Sequence, residues 1–183
     1  MTSFDQLKSP VRPKGKGGAF LIAAATGIDD PLASEAGRAL MKLFYDRTGE
    51  GRLATRRDFS PADLKPYLTN ITIMDVLYND AGLVCDGIVR VMGSDLEAYY
   101  GHLTGRHISE HPTDTGERFV ASAQAAVDAK GPSVGHSTQS VPDRERFSVK
   151  TCWIPIADNK GEITQILGHI QLFDKAGRPL PAL

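Results

Sequence analysis

Several of the common functional signals are missing from this sequence, and each absence removes a class of protein. Only two cysteines occur, Cys85 and Cys152, without C-x-x-C spacing, which excludes a disulfide framework and a cysteine-rich zinc site. Both fall in apolar, strand-like runs, where a free thiol behaves as a small buried hydrophobe, so the expected location is a reducing cytoplasm. Charge of one sign is also missing. Lys and Arg number 21 against 22 Asp and Glu, a formal net charge of -1, so no global field draws the chain to nucleic acid or an acidic membrane. The one basic cluster, Arg12, Lys14 and Lys16, precedes an apolar patch at residues 19–25. That layout mimics a secretory signal, but the patch has only the minimum length of about seven residues.

Catalytic motifs are equally sparse. No G-x-S-x-G nucleophile elbow is present, and Gly15-Lys16-Gly17-Gly18 lacks the spacing and the following Ser or Thr of a phosphate-binding loop. The sharpest enzyme-like pattern is His107-Ile108-Ser109-Glu110-His111, an H-x-x-E-H arrangement in which two His on one helical face bind zinc and the Glu activates water. Pro112 follows directly and Gly105 lies just before, leaving room for about one and a half helical turns. The two imidazoles are therefore not expected to share a face. A small zinc-dependent hydrolase built on 107–111 is the alternative reading, and a non-enzymatic protein the expected one.

What is present describes one globular domain. Hydrophobic residues at 41% and charged residues at 23% suit a soluble core and disfavour wholesale disorder, and 183 residues suit a single core with a flanking element. Residues 1–30 mix Pro, Gly and Lys without a period and are predicted to form a flexible arm. Asp30-Pro31 is a good helix start, and Leu32, Ala36, Leu40, Leu43 and Phe44 recur at helical spacing until Gly49. A short helical turn is predicted at Ser60-Pro61-Ala62-Asp63 and another from Ser94 to Tyr99, with Ser94 and Glu97 as a capping box. Residues 113–130 form a longer helix with Phe119, Val120, Ala123, Ala126 and Val127 on one face. Strands are predicted at 70–78, 83–92, 133–141, 147–156 and 162–173, separated by turn residues such as Asn79-Asp80-Ala81-Gly82, Pro142-Asp143-Arg144 and Asp158-Asn159-Lys160-Gly161. Two strands, a helical crossover and three strands cannot alternate as a parallel α/β sheet. The expected fold class is α+β with an antiparallel five-stranded sheet.

Between the first hairpin and the longer helix lies Tyr100-Gly101-His102-Leu103-Thr104-Gly105-Arg106. A G-x-x-L-x-G-(R/K) run in that place, with this order of elements over residues 68–174, resembles the PAS domain. The stretch from Leu53 to Leu64 resembles the segment preceding the sheet in bacterial stand-alone PAS-like proteins. The resemblance implies a sheet in the order 2-1-5-4-3, helices over one face enclosing a small pocket, and signalling through contacts made by the other face. The corresponding division is an arm at 1–30, a helical flank at 31–67, the PAS-like domain at 68–174 and a tail at 175–183.

In that frame the candidate ligand-binding residues are Val89, Val91, Leu103, Phe119, Ala123, Val127 and Ile170. All are apolar, which suits a small hydrophobic metabolite. Trp153, Tyr99 and Tyr100 either line that pocket or fill the core. The last strand carries Ile166, Gly168, Ile170 and Leu172 on one face and a mixed set on the other. The candidate interaction surface is Leu40, Phe44, Leu167, His169 and Phe173, with the helix at 31–47 expected to cover the sheet either within the chain or across a homodimer. A haem-binding PAS domain uses a His on the long helix, and 113–130 has none; the N-C-R-F-L-Q motif of flavin photoreceptors is also missing. The cofactor is left unknown. No effector sequence accompanies the domain, so signalling partners acting in trans are expected. The remaining alternative is an interaction domain with a filled core and no ligand.

Overall fold

The computed structural model describes residues 20–49, 51–139 and 147–180. Strands β1 (Phe20–Ala24), β2 (Ala54–Thr55), β3 (Ile71–Tyr78), β4 (Val84–Met92), β5 (Ser133–Gln139), β6 (Phe147–Ala157) and β7 (Ile163–Phe173) form one sheet, accompanied by helices α1 (Glu35–Thr48), α2 (Pro61–Leu64), α3 (Ser94–Tyr100) and α4 (Thr115–Ala129). The strand order is β1-β5-β6-β7-β3-β4, with β2 added to β6. The five strands read from the sequence are β3 to β7, and their order is 2-1-5-4-3 with every neighbouring pair antiparallel. The architecture is α+β and PAS-like. The predicted turn Pro142-Asp143-Arg144 and the last residues of the strand before it lie outside the described residues.

Two strands extend the expected sheet. The segment Phe20–Ala24, assigned to a flexible arm from composition, pairs antiparallel with β5 from Phe20 opposite Ser137 to Ala24 opposite Ser133. Phe20 and Ile22 suit a strand, but a run of five residues cannot hold one alone, and here the open edge of β5 supplies the missing backbone partners. β2 runs parallel to β6 at Ile156 and Ala157, beyond the point where β5 ends at Trp153. The tail also folds back: Leu180 N–H donates to the Leu172 carbonyl at 2.9 Å and Leu180 packs on the core.

Both faces of the sheet are covered. Ser34 caps α1, its hydroxyl accepting from Gly37 N–H at 3.0 Å. The helix stops at Gly49, whose φ of 63° lets its N–H return to the Tyr45 carbonyl. Asp30, expected at the helix start, instead holds the preceding turn through Thr26 and Leu32. Leu40, Met41 and Phe44 on α1 meet Ile71, Cys152, Ile154 and Leu167 from the sheet. Each such buried side chain contributes about 1.5–3 kcal/mol, enough to hold α1 on its own sheet. This corrects the expected interaction surface. Leu40, Phe44, Leu167 and His169 are at most 3% exposed, and Phe173 is half-buried. The four buried residues present no surface to a partner, and only Phe173 of the set stays partly accessible.

The opposite face holds the larger core, built on Val89, Leu96, Phe119, Trp153, Ile166 and Ile170. Here a bulge alters the expected alternation. Ile73 pairs with Val91 and Met74 with Val89, leaving Arg90 as the extra residue. Opposed residues share a face, so Val89 joins Met74 in this core while Val91 turns to the α1 side and is 40% exposed.

Helix α4 ends at Lys130, whose φ of 48° and ψ of 37° make it the one non-glycine residue with positive φ among those described. A left-handed conformation costs an L-residue about 1 kcal/mol. Lys130→Gly is expected to raise the unfolding free energy by an amount of that order, seen as a higher denaturant midpoint at an unchanged m-value; an unchanged or lower midpoint is the opposite result.

Candidate functional site

The turn at 101–106 is built from backbone freedom. Gly101 and Gly105 have φ of 78° and 85°, accessible to glycine without strain. Gly105 N–H donates to the Val89 carbonyl at 2.8 Å, and Val89 N–H returns a bond to the Arg106 carbonyl at 3.0 Å. The turn is thereby fastened to β4 beside the bulge, covering part of an edge strand. Leu103 at its tip is buried in the core.

Beneath that turn and α4 lies a cavity of about 50 Å³. Leu103, Phe119 and Ile170 supply apolar wall, with Phe20 from β1 at one side. The Phe119 and Trp153 rings meet edge to face, 5.7 Å between centroids. Within this apolar setting sits Arg118, only 8% exposed. Its Nη2 donates to Asp114 at 2.8 Å, and the Phe20 ring lies 5.2 Å from its Cζ. Its Nε and Nη1 have no partner among the described residues, nor have Thr151 Oγ1 and Trp153 Nε1. All three residues line the cavity. Tyr100 also lines it; burial pushes its hydroxyl up to about 12, with nearby Arg118 pulling the other way, so the phenol stays protonated as a hydrogen-bond donor.

The structure distributes the seven candidate ligand residues unevenly. Leu103, Phe119 and Ile170 line the cavity; Val89 and Ala123 are buried in the same core beyond it, and Val127 packs against that core. Val91 is turned away by the bulge. Arg118, Thr151 and Phe20 were not legible as site residues. On α4 the buried face contains Gly116, Arg118, Phe119, Ser122, Ala123 and Ala126, one position back from the face drawn through Val120 and Val127. That rotation brings in Arg118, which a search for apolar residues passes over. A charged residue adjoining the apolar stripe was the available signal.

The H-x-x-E-H residues diverge. His107 Nδ1 bonds to Asp86 at 2.8 Å, Glu110 pairs with Arg106, and His111 lies against Thr113 and the Tyr100 carbonyl. The Ser109 hydroxyl donates to the Asp86 carboxylate rather than to the imidazole, so the Asp86, His107 and Ser109 cluster ties the crossover to β4 and is not arranged as a catalytic triad. Among the described residues no three or more His, Cys, Asp and Glu side chains come together to hold a metal ion. Cys152 is buried, which pushes its thiol up to about 12. Cys85 is exposed, not in the core as its strand pattern suggests. No helix among the described residues is long and apolar enough to cross a membrane.

No family model matches the sequence, and no curated protein matches it. Among solved structures, the PAS domain of a protein from Colwellia psychrerythraea is similar at 19% identity and a TM-score of 0.41, over 62% of this chain and 96% of that one. An RNA-binding Light-Oxygen-Voltage receptor is similar at 19% identity and a TM-score of 0.38, over 62% of this chain. The match spans about a third of that receptor, 32% of its length.

Proposed function

We propose that this chain is a non-catalytic, cytoplasmic PAS-like sensory module that admits a small ligand beneath α4 and passes the change to partner proteins in bacterial signal transduction. The observation that carries this reading is the position of the cavity. Its walls come from β1, β3 to β7, α3, α4 and the 101–106 turn, so an occupant would touch nearly every element of the main core at once. Because α1 covers its sheet face within the chain, that face is not left open for a homodimer.

A ligand-free interaction domain is the second reading, favoured by the small size of the cavity. About 50 Å³ compares with about 150 Å³ for an engineered cavity that takes up benzene. The two readings separate on native mass spectrometry of the full chain together with a thermal-shift screen of small organic molecules. A co-purified small molecule, or a saturable rise in melting temperature, is expected. A bare mass and an unmoved melting temperature throughout the screen would leave the ligand-free domain.

A further inference from the structure

The polar atoms around the cavity have a definite chemistry. Of the five buried side-chain nitrogens and oxygens without a partner among the described residues, four belong to Arg118, Thr151 and Trp153, which all line this one space. Arg118 Nε, Arg118 Nη1 and Trp153 Nε1 are donors only, and Thr151 Oγ1 can donate. Protein interiors rarely leave such groups unpaired, because each forfeits its hydration without compensation, and a guanidinium loses most. The position of Thr151 is guarded by the lack of a side chain opposite: a Cβ added at Gly135 would lie 2.7 Å from Thr151 Oγ1. The arrangement calls for a ligand that accepts several hydrogen bonds at one end and is apolar at the other.

A neutral carbonyl offers two lone-pair positions and no charge. A carboxylate offers about four, together with the negative charge that a buried guanidinium favours. Asp114 engages only Nη2. Resting on the ligand-sensing reading above, we infer that the cavity binds a short-chain carboxylate, its oxygens held by Arg118, Thr151 and Trp153 and its chain against Leu103, Phe119 and Ile170. The small volume restricts the ligand to a few carbons.

Trp153, the chain's one tryptophan, lines the site and reports on it. The test titrates the full chain at pH 7 and constant ionic strength with acetate, propionate and butyrate, and with propionamide as the neutral counterpart, following Trp153 fluorescence and melting temperature. Saturable responses to at least one carboxylate, with affinity at least tenfold above propionamide, are expected. R118M should weaken carboxylate binding by tenfold or more. T151V removes a hydroxyl without changing charge and should weaken it severalfold, which keeps the test decisive if R118M does not fold. Equal binding of propionamide and propionate, or carboxylate binding unaffected by T151V and by a folded R118M, overturns the carboxylate assignment and leaves ligand sensing intact. If a broader screen of small molecules also gives no response, both fall.

Discussion

Gly168→Ala is expected to destabilise the protein by about 3 kcal/mol, at the upper end of what overpacking a core costs. A Cβ at this position would overlap Trp153 Cζ3, stand 2.5 Å from Trp153 Cε3 and 3.0 Å from Thr72 Cγ2. Trp153 is 4% exposed and has Phe119 against its edge, so the rigid indole has no outward path. For a chain of this length the loss corresponds to a fall in melting temperature of about 10 °C. Gly87 serves the other ring of the pair, since a Cβ there would overlap Phe119 Cε1 and lie 2.7 Å from Cζ. Both glycines lie within strands, where glycine often marks a close approach. Denaturant unfolding measures the effect. A G168A loss below about 0.5 kcal/mol would show that the indole moves freely, contrary to the packing argument. The G168A/W153F double variant should recover part of the loss, because the two positions share one contact.

The second large effect is a loss of stability in mild acid. His169 is 2% exposed beneath α1, its Nδ1 has no partner among the described residues, and the Tyr67 ring meets it edge on. Burial pushes the imidazole down from 6.5 to about 4. Above pH 6.5 the ring is neutral in the folded and unfolded chains alike, and the stability gained by burying it neutral is fully present. Between pH 6.5 and 4 the unfolded chain binds a proton that the folded chain excludes, so stability falls as pH falls. At about 1.4 kcal/mol per pH unit, the loss on reaching pH 4 is about 3 kcal/mol. His111 and His136, both lowered by burial, add to the same trend. Asp58, held by Arg52 well below the usual carboxylate range, contributes only in stronger acid. Unfolding measured at pH 7 and pH 4.5 for wild type and H169F should show a distinctly shallower pH dependence in the variant. Identical slopes would remove His169 from the account.

The legibility of this protein in its sequence follows the range of the interactions involved. Strands β3 to β7 were readable because their β-branched runs end in residues such as Asn79-Asp80-Ala81-Gly82, where turn chemistry is local. The turn at 101–106 was readable because glycines at positive φ leave a fixed spacing. Strand β1 was not, because its stability comes from an edge more than a hundred residues away at Ser133–Ser137. Val91 and Val89 look equivalent at a spacing of two until the single extra residue, Arg90, changes the parity of the strand. Leu40, Phe44, Leu167 and His169 had the composition of an interaction surface, and whether they faced a partner or each other was a question of chain geometry.

The sequence by itself determined the element order, the antiparallel α+β class and the place of the 101–106 turn, since periodicity and glycine dihedrals act within a few residues, whereas the caps of α1 and α3 fell on Ser34 and Gly93 rather than on Asp30 and Ser94. Only the tertiary structure decided the chemistry of the cavity. The face that α4 buries includes Arg118 beside Phe119, and the pairing of β6 with β5 and β7 brings Thr151 and Trp153 to the same cavity. An arginine, a threonine and a tryptophan carry no spacing signal that joins them. Their common site exists because the sheet and α4 bring into one small apolar volume the donors that the chain keeps apart.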